Sequence, residues 1–151
     1  MSHRQITIAI DAMGGEGSPL KCLKGAEIFS NNHQGVMLQF FGDQDLIKQT
    51  IKNHKLNITN YKIVKCFDNV TDDDNANTIL RSRKNSSISR GLTFIKDNPN
   101  SGFISAGNTA ALMILSRLIL GMIEGVNRPA ICSTIPNEKS YSLMMDLGAN
   151  V

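Results

Sequence analysis

The chain has no tryptophan, two tyrosines and only three cysteines in 151 residues. With so few aromatics, and no basic run interleaved with them, it offers no stacking platform for unpaired bases. Sixteen Lys and Arg against thirteen Asp and Glu leave a formal charge of +3, too slight a surplus to imply a nucleic-acid partner. Cys22, Cys66 and Cys132 stand far apart, with no C-x-x-C pair. That pattern argues for reduced thiols and against a disulfide frame or a zinc site. Long apolar runs are scarce as well. "TAALMILSRLILGMI", Thr109 to Ile123, is shorter than a bilayer span and carries Arg117, so it predicts a core helix. The opening "MSHRQITIAIDAMGG" reaches Asp11 too soon to read as a secretory segment.

The familiar catalytic and nucleotide-binding motifs are missing too. A dinucleotide fingerprint would need glycine at position 20, which is Leu20, and neither a P-loop nor G-x-S-x-G occurs. His3, His33 and His54 fall outside the glycine-rich loops, so none is placed to activate a serine. Asp72, Asp73 and Asp74 lack the glycine and closing Glu of a calcium loop and read as a solvated loop.

What remains is a rhythm of strands and helices. Gln5 to Ile10 predicts a buried strand. Ser18-Pro19 follows as an N-cap and first-turn proline, with Leu20, Leu23, Ala26, Ile28 and Phe29 at helical spacing. Val36 to Phe41 is a second strand, Asp43 caps a helix to about Lys52, and Tyr61 to Phe67 is a third strand. "DNVTDDDNAN" is a loop, and "TILRSRKNSSISRGLTFIKDN" reads as one or two helices ending near Asn98-Pro99. A short strand from Gly102 to Ser105 leads into the apolar helix from about Asn108. "PAICSTI" and "SLMMDL" are the last strands, joined by a hairpin or irregular loop, with Cys132 as a core thiol. Strands separated by helices predict an α/β fold, a three-layer α/β/α sandwich with a mostly parallel sheet. "DLGANV" has no covering helix after it, so residues 1–151 are expected to be the N-terminal part of a longer α/β domain.

In open α/β sheets, ligands collect beyond the carboxyl ends of the strands. Three loops there are rich in small residues: "DAMGGEGSP", "SAGNTA" and "DLGAN". Small residues let backbone approach a ligand, and a following helix aims unpaired N–H groups and a positive dipole end at it. Phosphate is the natural guest. An anion cradle without a side-chain nucleophile suits a reaction in which the bound anion itself attacks.

"IAIDAMGGEGSP", "ILRSRKNSSI", "FISAGNTAALM", "NRPAI" and "MDLGANV" resemble, in order and spacing, the N-terminal half of the bacterial acyl-ACP:phosphate acyltransferases, the PlsX family. The chain departs from the family pattern at Glu16-Gly17, where Asp-His is usual, and at Ala110, where Gly is usual. The resemblance implies a Rossmann-like fold related to phosphotransacetylases and isopropylmalate dehydrogenases. It implies formation of acyl phosphate from acyl-acyl carrier protein and inorganic phosphate, towards phosphatidic acid, without a cofactor. It further implies a cytosolic homodimer, peripherally associated with the membrane, with a second half beyond "DLGAN".

On that resemblance phosphate would lie at Ser105, Ala106, Gly107, Asn108 and Thr109, with Asn108 and Thr109 as ligands. Gly14 and Gly15 would line the facing wall, Asp11 would orient a donor or water, and Asp146, Gly148 and Asn150 would close the floor. Asp11 is also readable as a turn cap alone, and Ser105 or Thr109 as a helix cap. Arg81, Arg83, Lys84 and Arg90 form either a docking face for the acidic carrier protein or an ordinary solvated face. Two other activities fit the same cradle: phosphotransacetylase-like transfer from acyl-CoA, and non-catalytic binding of phosphate or a partner. A nicotinamide-dependent dehydrogenase fits poorly, because its fingerprint is missing.

Overall fold

A computed structural model describes residues 5–68, 70 and 84–147. They fall into two compact units, one ending at Leu120 and the other beginning at Gly121. In the first unit strands and helices alternate: β1 (Thr7–Asp11), α1 (Leu20–Asn32), β2 (Met37–Gly42), α2 (Gln44–Asn53), β3 (Tyr61–Lys65), α3 (Ser87–Asp97), β4 (Ser101–Ile104) and α4 (Thr109–Ile119). The sheet order is β3-β2-β1-β4 and every pairing is parallel, as the alternation of strands and helices predicts. Among the described residues, no helix is long and apolar enough to cross a membrane.

The alternation of side chains along β1 builds two cores from one strand. Ile10 joins Leu23 and Ala26 of α1, Ile47 of α2, and Leu38 and Phe40 of β2 on one face. Ala9 joins Phe41, Cys66, Phe94 of α3 and Phe103 of β4 on the other. Beyond that layer, Ile88 and Leu92 of α3 pack on Ala111 and Leu115 of α4. Leu23, Phe40 and Ile47 are fully buried, each contributing about 1.5–3 kcal/mol through the area removed from water. Central strands β1 and β2 are therefore covered on both faces, which explains their near-continuous apolar runs.

Local residues set most element ends. The Asp43 carboxylate accepts from the N–H groups of Asp45 (2.9 Å) and Leu46 (3.1 Å) and starts α2, as predicted. Ser86 does the same for α3, accepting from Ser89 N–H at 3.2 Å. The predicted Ser18 cap is not formed. Pro19 occupies the N-cap position of α1 without a side-chain cap, and Ser18 Oγ instead donates to the carbonyl of Gly14. The hydroxyl thus closes the glycine loop rather than the helix. The apolar helix also ends earlier than Ile123. It stops at Ile119, because Gly121 turns the chain at φ +85°, a left-handed conformation that ends helices.

In the second unit, β5 (Cys132–Pro136) and β6 (Tyr141–Met145) form the expected hairpin, antiparallel, with Cys132 opposite Met145. The Asn137 carboxamide oxygen accepts from the N–H groups of Lys139 and Ser140 and shapes its turn. Cys132 is exposed, not the core thiol that its strand position predicts. A two-stranded ribbon buries a side chain only if something lies on it, and every described residue of both strands is exposed.

Candidate functional site

Because β1 pairs directly with β4, with Ile10 opposite Ile104, the loops that leave their carboxyl ends are neighbours. The first runs from Ala12 to Pro19 and the second from Ser105 to Asn108. Asp11, the last residue of β1 and 3% exposed, fastens them together. Its Oδ2 accepts from Ser105 Oγ at 2.7 Å and its Oδ1 from Met13 N–H at 3.1 Å. Ser105 Oγ in turn accepts from Gly107 N–H at 3.1 Å. A single carboxylate thereby orders both loops. Asp11 is thus more than a turn cap.

The two loops touch backbone to backbone. A Cβ on Gly14 would fall on Asp11 Oδ2 and lie 2.7 Å from Gly107 N. A Cβ on Gly15, at φ +84°, would lie 2.7 Å from the Ala106 carbonyl oxygen. No side chain can be accommodated at either position without moving the facing loop. Above this contact a cleft of about 600 Å³ opens, lined by Met13, Gly15, Glu16, Val70, Ala106, Gly107 and Asn108.

Asn108 is the residue that caps α4. Its Oδ1 accepts from Ala111 N–H at 2.8 Å, so neither Ser105 nor Thr109 is the cap. Thr109 and Ala110 are exposed in the first helical turn, where N–H groups have no partner within the helix. A cleft with glycine backbone on one wall and a helix N-terminus on the other can take an anion. The structure thus brings together Asp11, Gly14, Gly15, Ser105, Ala106, Gly107, Asn108 and the start of α4 at Thr109.

The remaining candidates belong to other elements or lie outside the described residues. Asp146 lies in the second unit, just after β6, at φ +62°, and its N–H donates to Ile131 O at 3.0 Å. Gly148, Asn150, Arg81 and Arg83 lie outside the described residues. Lys84 is exposed. Arg90 Nη1 donates to the carbonyl oxygen of Lys65 at 3.0 Å, so this guanidinium caps the end of β3.

Sequence reasoning missed a second cavity on the α1 side of the first loop. It has about 560 Å³ and shares Gly15, Glu16 and Ala106 with the cleft above. Lys21 and Cys22, in the first turn of α1, line it. The available signal was their position one helical turn beyond the glycine loop. Burial pushes the Cys22 thiol up to about 11, helped by the negative charge of Asp11. At neutral pH it is a neutral wall residue and not a nucleophile.

Residues 6–151 match the family described as "Fatty acid synthesis protein". The chain is 39% identical to the phosphate acyltransferase of Wolbachia pipientis subsp. Culex pipiens (strain wPip), over 99% of its own length and 44% of that relative's. It is 41% identical to the phosphate acyltransferase of Polynucleobacter necessarius subsp. necessarius (strain STIR1), over 96% of this chain and 44% of that one. The phosphate acyltransferase of Pelagibacter ubique (strain HTCC1062) is 36% identical over 97% of this chain and 43% of its own. The chain therefore spans less than half the length of these curated relatives. With the family matching over nearly its whole length, and with the motifs in the expected order, the chain belongs to the fatty acid synthesis protein family, that of the PlsX phosphate acyltransferases.

Proposed function

We propose that this chain supplies the phosphate-binding wall of an acyltransferase that makes acyl phosphate from acyl-acyl carrier protein and inorganic phosphate, a step towards phosphatidic acid. Phosphate lies at the start of α4, against the N–H groups of Thr109 and Ala110 and the backbone of Gly107. One phosphate oxygen attacks the thioester carbonyl carbon. The tetrahedral intermediate collapses as the carbon–sulfur bond breaks, and the leaving thiolate takes the proton of hydrogen phosphate. A backbone N–H aimed at the developing oxyanion would lower the barrier by roughly 3–4 kcal/mol.

The observation that carries this reading is the Asp11–Ser105–Gly107 chain of hydrogen bonds. It holds two glycine-bearing loops against each other at a helix N-terminus, which is preorganisation for an anion and is not needed to end a strand. Three further parts of the reading rest on family membership. Residues 1–151 act as the N-terminal part of a longer domain. The assembled enzyme is a cytosolic homodimer that meets the membrane peripherally. Arg81, Arg83 and Lys84 attract the acidic carrier protein, while Arg90 serves β3.

The test mixes the protein with long-chain acyl-acyl carrier protein and follows release of the carrier thiol with and without inorganic phosphate. Phosphate-dependent release supports the proposal. Saturable phosphate binding with no release would favour a second reading, a non-catalytic anion-binding domain.

A further inference from the structure

An anion entering the site meets carboxylates there. Asp11 lines the second cavity, and Glu16 lines both that cavity and the cleft. The two oxygens of Asp11 already accept from Ser105 Oγ and Met13 N–H, and Glu16 is exposed. Against them stand backbone N–H groups and the end of α4, equivalent to about half a positive charge. Hydrogen phosphate is a dianion, so a cation is needed to offset the two carboxylates. Among the described residues lining the cleft or the cavity, Lys21 alone carries a positive charge.

The Lys21 side chain is laid across the glycine loop. A Cβ built on Gly17 would lie 3.2 Å from Lys21 Cγ, 3.0 Å from Cδ and 2.9 Å from Cε. Its methylenes therefore rest on bare backbone, in space that any side chain at position 17 would take. The direction follows from the helix: side chains lean towards the N-terminus, and the N-terminus of α1 is where the loop ends. The stem thus carries its ammonium back over the loop. Other cations nearby on the sheet are engaged. Lys65 pairs with Asp45 at 4.0 Å, and Arg90 donates to the Lys65 carbonyl oxygen. Among the described residues Lys21 has no such partner, and Glu16 does not pair with it although both line one cavity.

We propose that Lys21 is the cation of the phosphate site. Its ammonium meets phosphate at the Gly15–Ala106 wall that cleft and cavity share, across from the N–H groups of Thr109 and Ala110, and offsets Asp11 and Glu16. This rests on the phosphate-binding reading above and adds a residue to it. It also gives the site a preference. A dianion gains about twice what a monoanion gains from the same ammonium, and neutral water gains no such attraction. Lys21 thereby favours phosphate over water as the group that attacks.

The test reads binding of inorganic phosphate by calorimetry, not turnover. A contact with a charged group is worth roughly ten- to a hundredfold in affinity. Lys21 is exposed, so Lys21→Met should weaken phosphate binding by about tenfold at low salt. The loss should shrink to under about threefold near 1 M salt, where charges are screened within about 3 Å. Lys21→Arg should retain most of the affinity. Lys24 is exposed one turn further along α1 and lines neither cavity. Lys24→Met makes the same change in net charge and should cost less than about twofold. In the wild type, phosphate should protect Lys21 but not Lys24 from acetic anhydride, read by peptide mapping. Equal losses in the Lys21→Met and Lys24→Met proteins would overturn the proposal, as would a Lys21 that phosphate leaves unprotected or a folded wild type that binds no phosphate. Lys21-dependent phosphate binding without thioester release supports it and counts against the acyl-transfer reading alone.

Discussion

Removing the Ser105 hydroxyl should loosen the site. Ser105→Ala deletes a donor 2.7 Å from Asp11 Oδ2 and an acceptor 3.1 Å from Gly107 N–H. Asp11 is 3% exposed, so water reaches the vacated carboxylate oxygen poorly. A hydrogen bond to a charged group is worth about 1.5–3 kcal/mol. Ser105 itself is only half-buried, so we expect a loss of about 2 kcal/mol, near the lower end. For a chain of this length that lowers the unfolding midpoint by about 4–8 °C. Ser105→Thr keeps the hydroxyl and should recover most of the loss. In a double-mutant cycle, Asp11→Ala and Ser105→Ala should be strongly non-additive, because they break one interaction. Circular dichroism melts and urea titrations supply the numbers. A Ser105→Ala midpoint within about 1 °C of the wild type, with additive double-mutant energies, would show that this contact does not hold the loops together.

Two glycine substitutions on helices should move stability in opposite directions. Gly25→Ala, in open space on α1, should raise it by about 0.5–1 kcal/mol through helix propensity. Gly91→Ala on α3 should lower it, because its Cβ would strike the Phe103 ring, lying 2.7 Å from Cδ2; denaturant midpoints decide both. The cysteines should separate by reactivity. Burial pushes Cys22 and Cys66 each up to about 11 from 9.0, while Cys132 is exposed. Iodoacetamide at pH 8 should therefore modify Cys132 first, which peptide mapping would read. A thiol raised in the folded state keeps its proton after the unfolded chain has lost it. These thiols' contribution to stability is then intact below about pH 9 and lost between about 9 and 11. Melts that did not fall across that window would contradict the burial of Cys22 and Cys66.

Features set by one residue and its immediate neighbours were legible in the sequence. Asp43 caps α2, β1 ends at Asp11, and the helix-strand alternation announces a parallel sheet. Contacts between distant residues were not. Nothing local signals that Ser105 donates to a carboxylate 94 positions away, because that partner exists only once β4 has paired with β1. Ser18 misled for a related reason: its hydroxyl had two possible acceptors, and the tight turn at Gly14–Gly15 put a carbonyl within reach first. Asn108 was read as a phosphate ligand through its amide, and what its residue type did not reveal is that its Oδ1 caps the helix. The second cavity was invisible to periodicity, since Ile8, Ile10 and Ile104, which line it, look like ordinary buried strand residues.

The most direct test of the site is a calorimetric titration of inorganic phosphate into the wild-type protein and into Gly14→Ala. A Cβ at position 14 would drive into Asp11 and Gly107 N, separating the two loops while leaving both cores untouched. The account predicts saturable phosphate binding to the wild type and its loss in a Gly14→Ala protein that still melts cooperatively. Undiminished binding in that variant, or none in the folded wild type, would contradict it.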